Sequence, residues 1–188
     1  MPNWCEHRIT VSGSAEDVSK FHDALLSAAE NTVTAVSLLE CFLPVPEDLR
    51  DTKSPNRPPH NDSDLTAGSP AEVAEMVAAN AEWARRCEQL ASRYGADNWY
   101  DWSHQHWGVK WADATWKLER KPRSIVVYGQ CPWGPPLAGL ASLSLEFPAL
   151  RISIKYWEAG MGFAGEEVFK AGDPVRSTSR EYRGTRGG

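Results

Sequence analysis

Leu150-Arg151-Ile152-Ser153-Ile154-Lys155-Tyr156-Trp157 is the stretch from which the fold of this 188-residue chain is read. Leu150, Ile152, Ile154 and Tyr156 alternate with Arg151, Ser153, Lys155 and Trp157, and a period of two gives a strand one apolar and one polar face. Such half-buried strands belong to an antiparallel sheet covered on one side. Trp4 to Ser12 repeats the pattern, with Cys5, His7, Ile9 and Val11 on one face and Glu6, Arg8, Thr10 and Ser12 on the other. Ser124-Ile125-Val126-Val127-Tyr128 is a continuous β-branched run, as expected of a central strand.

Helices are read between these strands. Ser14 and Asp17 resemble a capping box, and Val18, Phe21, Leu25 and Ala28 then recur at helical spacing, which predicts a helix over 15–29. Val36 to Leu43 is apolar and reads as a second strand ended by Pro44-Val45-Pro46. Residues 50–69 lose all periodicity and collect Asp, Ser, Asn, Pro55, Pro58, Pro59 and Gly68, so a solvated loop is expected. Ser69-Pro70-Ala71-Glu72 is a strong helix start, the stripe Val73, Val77, Ala81, Ala84, Cys87, Ala91 and Tyr94 follows, and Gly95 supplies the stop. Gly129 to Pro136 reads as a rigid turn opening a helix from Leu137 to Phe147. Beyond Tyr156 lie a glycine-rich connection from Glu158 to Gly165, a short strand near Glu167 to Phe169, and a tail carrying Arg176, Arg180, Arg183 and Arg186.

In chain order this is β-α-β, an insertion, then β-α-β. The expectation is an α+β fold: a ferredoxin-like split βαβ sandwich, an antiparallel sheet with helices on one face and a helical, Trp-rich insertion. Residues 1–172 would form one domain with the insertion at about 44–115 on its open sheet face, and 173–188 a flexible tail.

Composition narrows the function classes. A formal charge of −5 and a pI near 5.6 disfavour broad electrostatic attachment to nucleic acid. Cys5, Cys41, Cys87 and Cys131 are isolated and read as reduced, mostly buried thiols, which fits a cytoplasmic location. Neither a leader peptide nor a membrane span is expected, so no membrane partner is either.

Trp99 to Trp111 holds four of the nine tryptophans and two of the five histidines. Indoles either glue an irregular segment to a core or stack flat and cationic ligands. The most economical reading of Trp99, Trp102, Trp107, Trp111 and Trp133 is core. The functional reading takes one or two exposed indoles beside His104, His106 and Lys110 to stack a base and hold its phosphate, with Gln130 or Glu158 reading base edges.

The chain resembles the YubB-type ferredoxin-like domain family of phage and plasmid proteins. The resemblance rests on Met1-Pro2-Asn3-Trp4-Cys5, Leu43-Pro44-Val45-Pro46, Tyr94-Gly95-Ala96 and Trp99-Tyr100-Asp101-Trp102. It continues through Trp107-Gly108, Lys110-Trp111, Trp133-Gly134-Pro135-Pro136 and Glu158 with Gly160, Phe163 and Gly165. It implies a fold and a mobile-element origin but no chemistry. This chain departs from the family pattern where His7 and His106 replace asparagine and where Val109 and Ala112 replace polar residues.

Other chemistries are weaker. His104 and His106 would point the same way on an extended strand, as a metal pair with Asp101 needs, yet no further ligand stands at a suitable spacing. Cys131 precedes a helix start that can lower a thiol pKa, and Asp97 with Asp101 or Glu166 with Glu167 offer paired carboxylates. The expectation is therefore a non-catalytic accessory protein without a cofactor or metal, capturing a small nucleotide-like ligand or a host protein. The alternatives are a nucleotide-directed hydrolase or transferase with His104 or His106 as base, and a single-stranded nucleic-acid binder using the sheet face. An open sheet also leaves room for homo-oligomers.

Overall fold

The computed structural model describes residues 3–29 and 37–184. Strand β1 (Trp4–Ser12) leads into helix α1 (Ala15–Ala29), and the short helices α2 (Leu38–Phe42), α3 (Glu47–Arg50) and α4 (Asp62–Ala67) precede α5 (Pro70–Tyr94) and α6 (Trp99–His106). Strands β2 (Ala114–Lys121) and β3 (Ser124–Pro132), helix α7 (Leu137–Glu146), and strands β4 (Arg151–Glu158), β5 (Phe163–Lys170) and β6 (Asp173–Glu181) follow. The strands form one antiparallel sheet in the order β2-β3-β1-β4-β5-β6. The chain is thus an α+β protein.

The period-two alternation decides which face is covered. Cys5, His7, Ile9 and Val11 of β1 are buried, and their neighbours in sequence are not. Ile9 stands opposite Val127 and Ile154, and Val11 opposite Ile125 and Ile152, so three strands present one β-branched surface. Val18, Phe21 and Leu25 of α1, Leu38 of α2, and Leu140 and Leu143 of α7 pack into the same cluster, which puts these helices on one face. Phe21 stacks on Phe42 at 5.1 Å, and Phe147 meets both edge-on at 5.0 and 5.3 Å. Such ring pairs contribute about 0.5–1.5 kcal/mol each beyond the area they bury.

The structure differs from the sequence reading at five elements, one of them α4, a helix capped by Asn61 and Asp64 inside the loop expected over 50–69. The strand expected over 36–43 is helix α2, Val36 itself lying outside the described residues. A short apolar run carries no period; here capping selects the helix, with Ser37 Oγ accepting from the Glu40 N–H and Asp113 from the Leu38 and Leu39 N–H groups. The strand beside β3 is instead β2, whose Thr115-Trp116-Lys117-Leu118-Glu119-Arg120 hides its alternation because an edge strand is wet on both faces. The non-sheet segment therefore lies between α1 and β2. Strand β5 runs over Phe163–Lys170 rather than three residues, and β6 occupies the front of the expected tail. Every residue of β6 is exposed, so it has no apolar period, and its pairing with β5 is what makes it a strand. Arg186 lies outside the described residues.

Two compact units make up the chain. One comprises the residues through Pro44 and from Ser103 onward, the other Val45–Trp102. In the second, Ser69 and Glu72 form the capping box of α5 and Gly95 closes it at φ 78°. The less exposed side of α5 carries Val73, Met76, Trp83, Cys87, Leu90 and Tyr94, whereas Val77, Ala81, Ala84 and Ala91 face solvent. Two stripes share the helix, and the one with the bulkier side chains turns inward because it removes more apolar area from water. Residues 50–69 are tied down by polar side chains rather than by apolar period. The Trp83 indole donates to Asn56 Oδ1 at 3.1 Å, Asn56 Nδ2 donates to the Asp97 carbonyl at 3.2 Å, and Asn80 exchanges two hydrogen bonds with the His60 backbone.

Candidate functional site

Lys110, Trp111 and Trp133 come together in the sheet-containing unit. The two indoles stack with centroids 6.1 Å apart and planes 26° apart, and Lys110 Nζ lies 4.4 Å from the Trp111 ring and 6.0 Å from the Trp133 ring. Both rings remain open to solvent, at 42% and 45% exposure. Trp133 is held at φ 63°, a left-handed conformation costing a non-glycine residue about 1–2 kcal/mol, while its N–H donates to the Asn3 carbonyl at 2.8 Å. The backbone is thus strained at the residue that presents an indole to water, as at sites where geometry serves binding. Two stacked aromatic faces with an ammonium beside them suit a flat ligand carrying negative charge.

The remaining predicted residues are placed elsewhere. Trp107 is buried, its indole donating to the Leu43 carbonyl at 2.8 Å, and is a core residue. Trp99 and Trp102 belong to the Val45–Trp102 unit, where Trp102 is buried and Trp99 meets Tyr100 edge-on at 5.8 Å. His104 and His106 stand on α6 rather than on a strand, so a two-residue spacing sends their side chains about 200° apart around the helix and the convergent pair is not formed. Among the described residues no three His, Cys, Asp or Glu side chains gather to hold a metal. Glu158 is buried and accepts from the Gly160 N–H at 2.7 Å and from the Met161 N–H, which makes it a turn-capping carboxylate. Gln130 lies on the open side of the sheet opposite Glu6 and Ala114.

A buried polar strip escaped the sequence reading. His7 is fully buried, and neither ring nitrogen finds a hydrogen-bond partner among the described residues. Burial pushes its pKa down to about 4, outweighing the opposing pull of Asp113. Asp113 is buried too, and accepts from Ser37 Oγ at 2.6 Å, the Leu38 and Leu39 N–H groups at 3.2 and 3.1 Å, and Thr115 Oγ1 at 3.0 Å. Cys5 and Cys131 face each other across β1 and β3, both without solvent contact. Burial, then the Glu158 charge, pushes the Cys5 thiol up to about 12, and burial, then Asp113, pushes Cys131 well above its ordinary value. Cys131 is therefore an inert buried thiol near the end of β3 and not an activated nucleophile. The alternation of β1 already placed His7 inside; its neighbours came from distant segments that no local pattern joins.

Fold and site together define an α+β protein with an open antiparallel sheet and a surface indole pair. No family model matches the chain, and no curated protein matches it. Among solved structures it is similar to the crystal structure of the protein api92 from Yersinia pseudotuberculosis, assigned to the family model DUF1281, with a TM-score of 0.49 and 11% identity over 98% of this chain and 99% of that one. No helix among the described residues is long and apolar enough to cross a membrane.

Proposed function

We propose that this chain is a non-catalytic binding protein that takes a small nucleotide-like ligand at Lys110, Trp111 and Trp133. The observation that carries the reading is the pair of stacked, half-exposed indoles with the Lys110 ammonium 4.4 Å from one ring. A base stacks on an indole face, and the ammonium meets its phosphate. In this reading the chain works in the cytoplasm, as an accessory factor of a phage or related mobile element of the YubB type. A host protein presenting a flat acidic side of its own is the other occupant of the patch. The ferredoxin-like assignment is supported by the order β2-β3-β1-β4, with α1 between β1 and β2 and α7 between β3 and β4; β5 and β6 extend that arrangement at one edge.

Titration with adenosine monophosphate, adenosine triphosphate and inorganic phosphate, followed by tryptophan fluorescence, tests the reading. Nucleotides should quench emission saturably and phosphate alone should not. Trp111→Ala and Trp133→Ala should each abolish the quenching while costing no more than about 1 kcal/mol of stability. Saturable quenching that survives both substitutions would sink the proposal, as would its absence in the unmodified protein.

A further inference from the structure

We propose that the face of the sheet opposite α1, α2 and α7 binds single-stranded nucleic acid, a function independent of the indole pair. The ladders align Lys117, Tyr128, Arg8, Lys155, Glu166 and Thr178 in one row across all six strands. Neighbouring strands lie about 4.8 Å apart, so the first four residues of the row span about 14 Å. Lys117, Arg8 and Lys155 are exposed, and the Arg8 guanidinium and Lys117 Nζ flank the Tyr128 ring at 5.8 and 5.2 Å.

The rows on either side are mixed, with Val126, Thr10, Ser153 and Val168 filling the row between Glu119 and Arg176. Toward one end Gln130, Glu6 and Trp157 stand in register; toward the other lie Glu119 and Arg176, then Lys121 and Arg151. Carboxylates are present, and Glu166 approaches both Lys155 and Arg176 at 3.8 Å while Glu119 holds Lys117 at 2.5 Å. These pairs are partly open to water and exchange readily for a phosphate. Arg8 and Arg151 are exposed on the same face, so cations outnumber carboxylates there although the whole chain carries −5.

Charge complementarity therefore selects a polyanion, and the aromatic residues between the cations select one with exposed bases. Tyr128 and Trp157 stand on adjoining rows of this face, where unstacked bases can lie while Lys117, Arg8 and Lys155 meet the backbone. A duplex hides its base faces and would use the cations alone. The sequence's acidic balance disfavoured this reading, because net charge averages over faces that the sheet separates.

The test is fluorescence anisotropy with labelled deoxythymidine and uridine oligonucleotides of about 16 nucleotides. Binding should weaken with salt, and the double substitution Arg8→Glu with Lys155→Glu should weaken it by about ten-fold or more and flatten the logarithmic salt slope by about 0.7 for each lost contact. Arg85→Glu with Arg86→Glu, at exposed positions on α5, should leave binding unchanged. Tyr128→Leu should weaken oligonucleotide binding but not the binding of inorganic polyphosphate. The proposal is overturned if the oligonucleotides do not bind at low salt or bind the Arg8/Lys155 variant as tightly as the unmodified protein. It is overturned equally if a duplex of the same length binds as well, or if Tyr128→Leu weakens polyphosphate and oligonucleotide alike. Unchanged thermal melting of each variant establishes that its fold is intact.

Discussion

His7 lies directly opposite Gly129 across the β1–β3 ladder, and its imidazole occupies the space that a side chain at 129 would need. A Cβ at position 129 would stand 2.8 Å from His7 Nε2 and 2.9 Å from the Ala114 carbonyl oxygen, one of them backbone that cannot step aside. Gly129→Ala should therefore destabilise the fold by about 1–3 kcal/mol, the range for overpacking a filled core. Gly134→Ala is the control, since a Cβ there meets nothing within 4 Å, and it should stay within about 0.5 kcal/mol. Urea denaturation of the two variants checks both expectations.

The same imidazole sets a pH dependence. His7 is held neutral in the fold, with a pKa of about 4 against 6.5 in the unfolded chain, because burial penalises its charge. Between those values the unfolded state binds the extra proton, so stability rises with pH. The contribution is fully present above pH 6.5 and is lost as pH falls toward 4. A shift of that size corresponds to about 3 kcal/mol. Urea midpoints measured from pH 4.5 to 7 should thus climb more steeply for the unmodified protein than for His7→Asn; parallel curves would show that His7 titrates as it does in the unfolded chain.

Stability and sequence legibility part company around this strip. The alternation in β1 and β4, the apolar run of β3, and the capped helices α1 and α5 were readable because one face of each is buried and the other wet, which imprints a period on the residues. Strands β2 and β6 are edges exposed on both sides, so their sequences carry no period and only the ladder partner defines them. Helix α2 was unreadable for another reason: the carboxylate that caps it, Asp113, stands 76 residues beyond Ser37 in the chain. The tryptophan-rich stretch announced importance without announcing role. Trp107 went into the core, whereas Trp111 stayed at the surface with Trp133, a partner supplied by a separate strand end.

Asp113 offers the third measurement. Its carboxylate is the acceptor for two buried N–H groups and two hydroxyls, and truncation strands those donors away from water. Asp113→Ala should cost about 2–4 kcal/mol of stability, more than an exposed helix cap is worth. The Asp113 charge also pulls the His7 pKa upward against burial, so Asp113→Asn should drive that pKa still lower. A nuclear magnetic resonance titration of the His7 ring in the variant gives the direction, and an upward movement would contradict the electrostatic pull of Asp113 on His7.

The two fates of tryptophan can be separated in one comparison. Trp107 is 2% exposed and its indole N–H is committed to the Leu43 carbonyl, so Trp107→Ala removes a large buried ring and leaves that carbonyl without its donor. A cost of about 3–5 kcal/mol is expected. Trp111 stacks at the surface with 42% of its area in water, and the partner ring and the Lys110 stem shield only part of it. Trp111→Ala should then cost about 1 kcal/mol or less, with any loss confined to ligand binding. Thermal melting ranks the pair, and acrylamide quenching offers an independent check: Trp111→Ala should remove part of the readily quenched emission, whereas removing Trp107 should not. Equal destabilisation by the two substitutions would place Trp111 in the core and remove the surface on which the binding proposal stands.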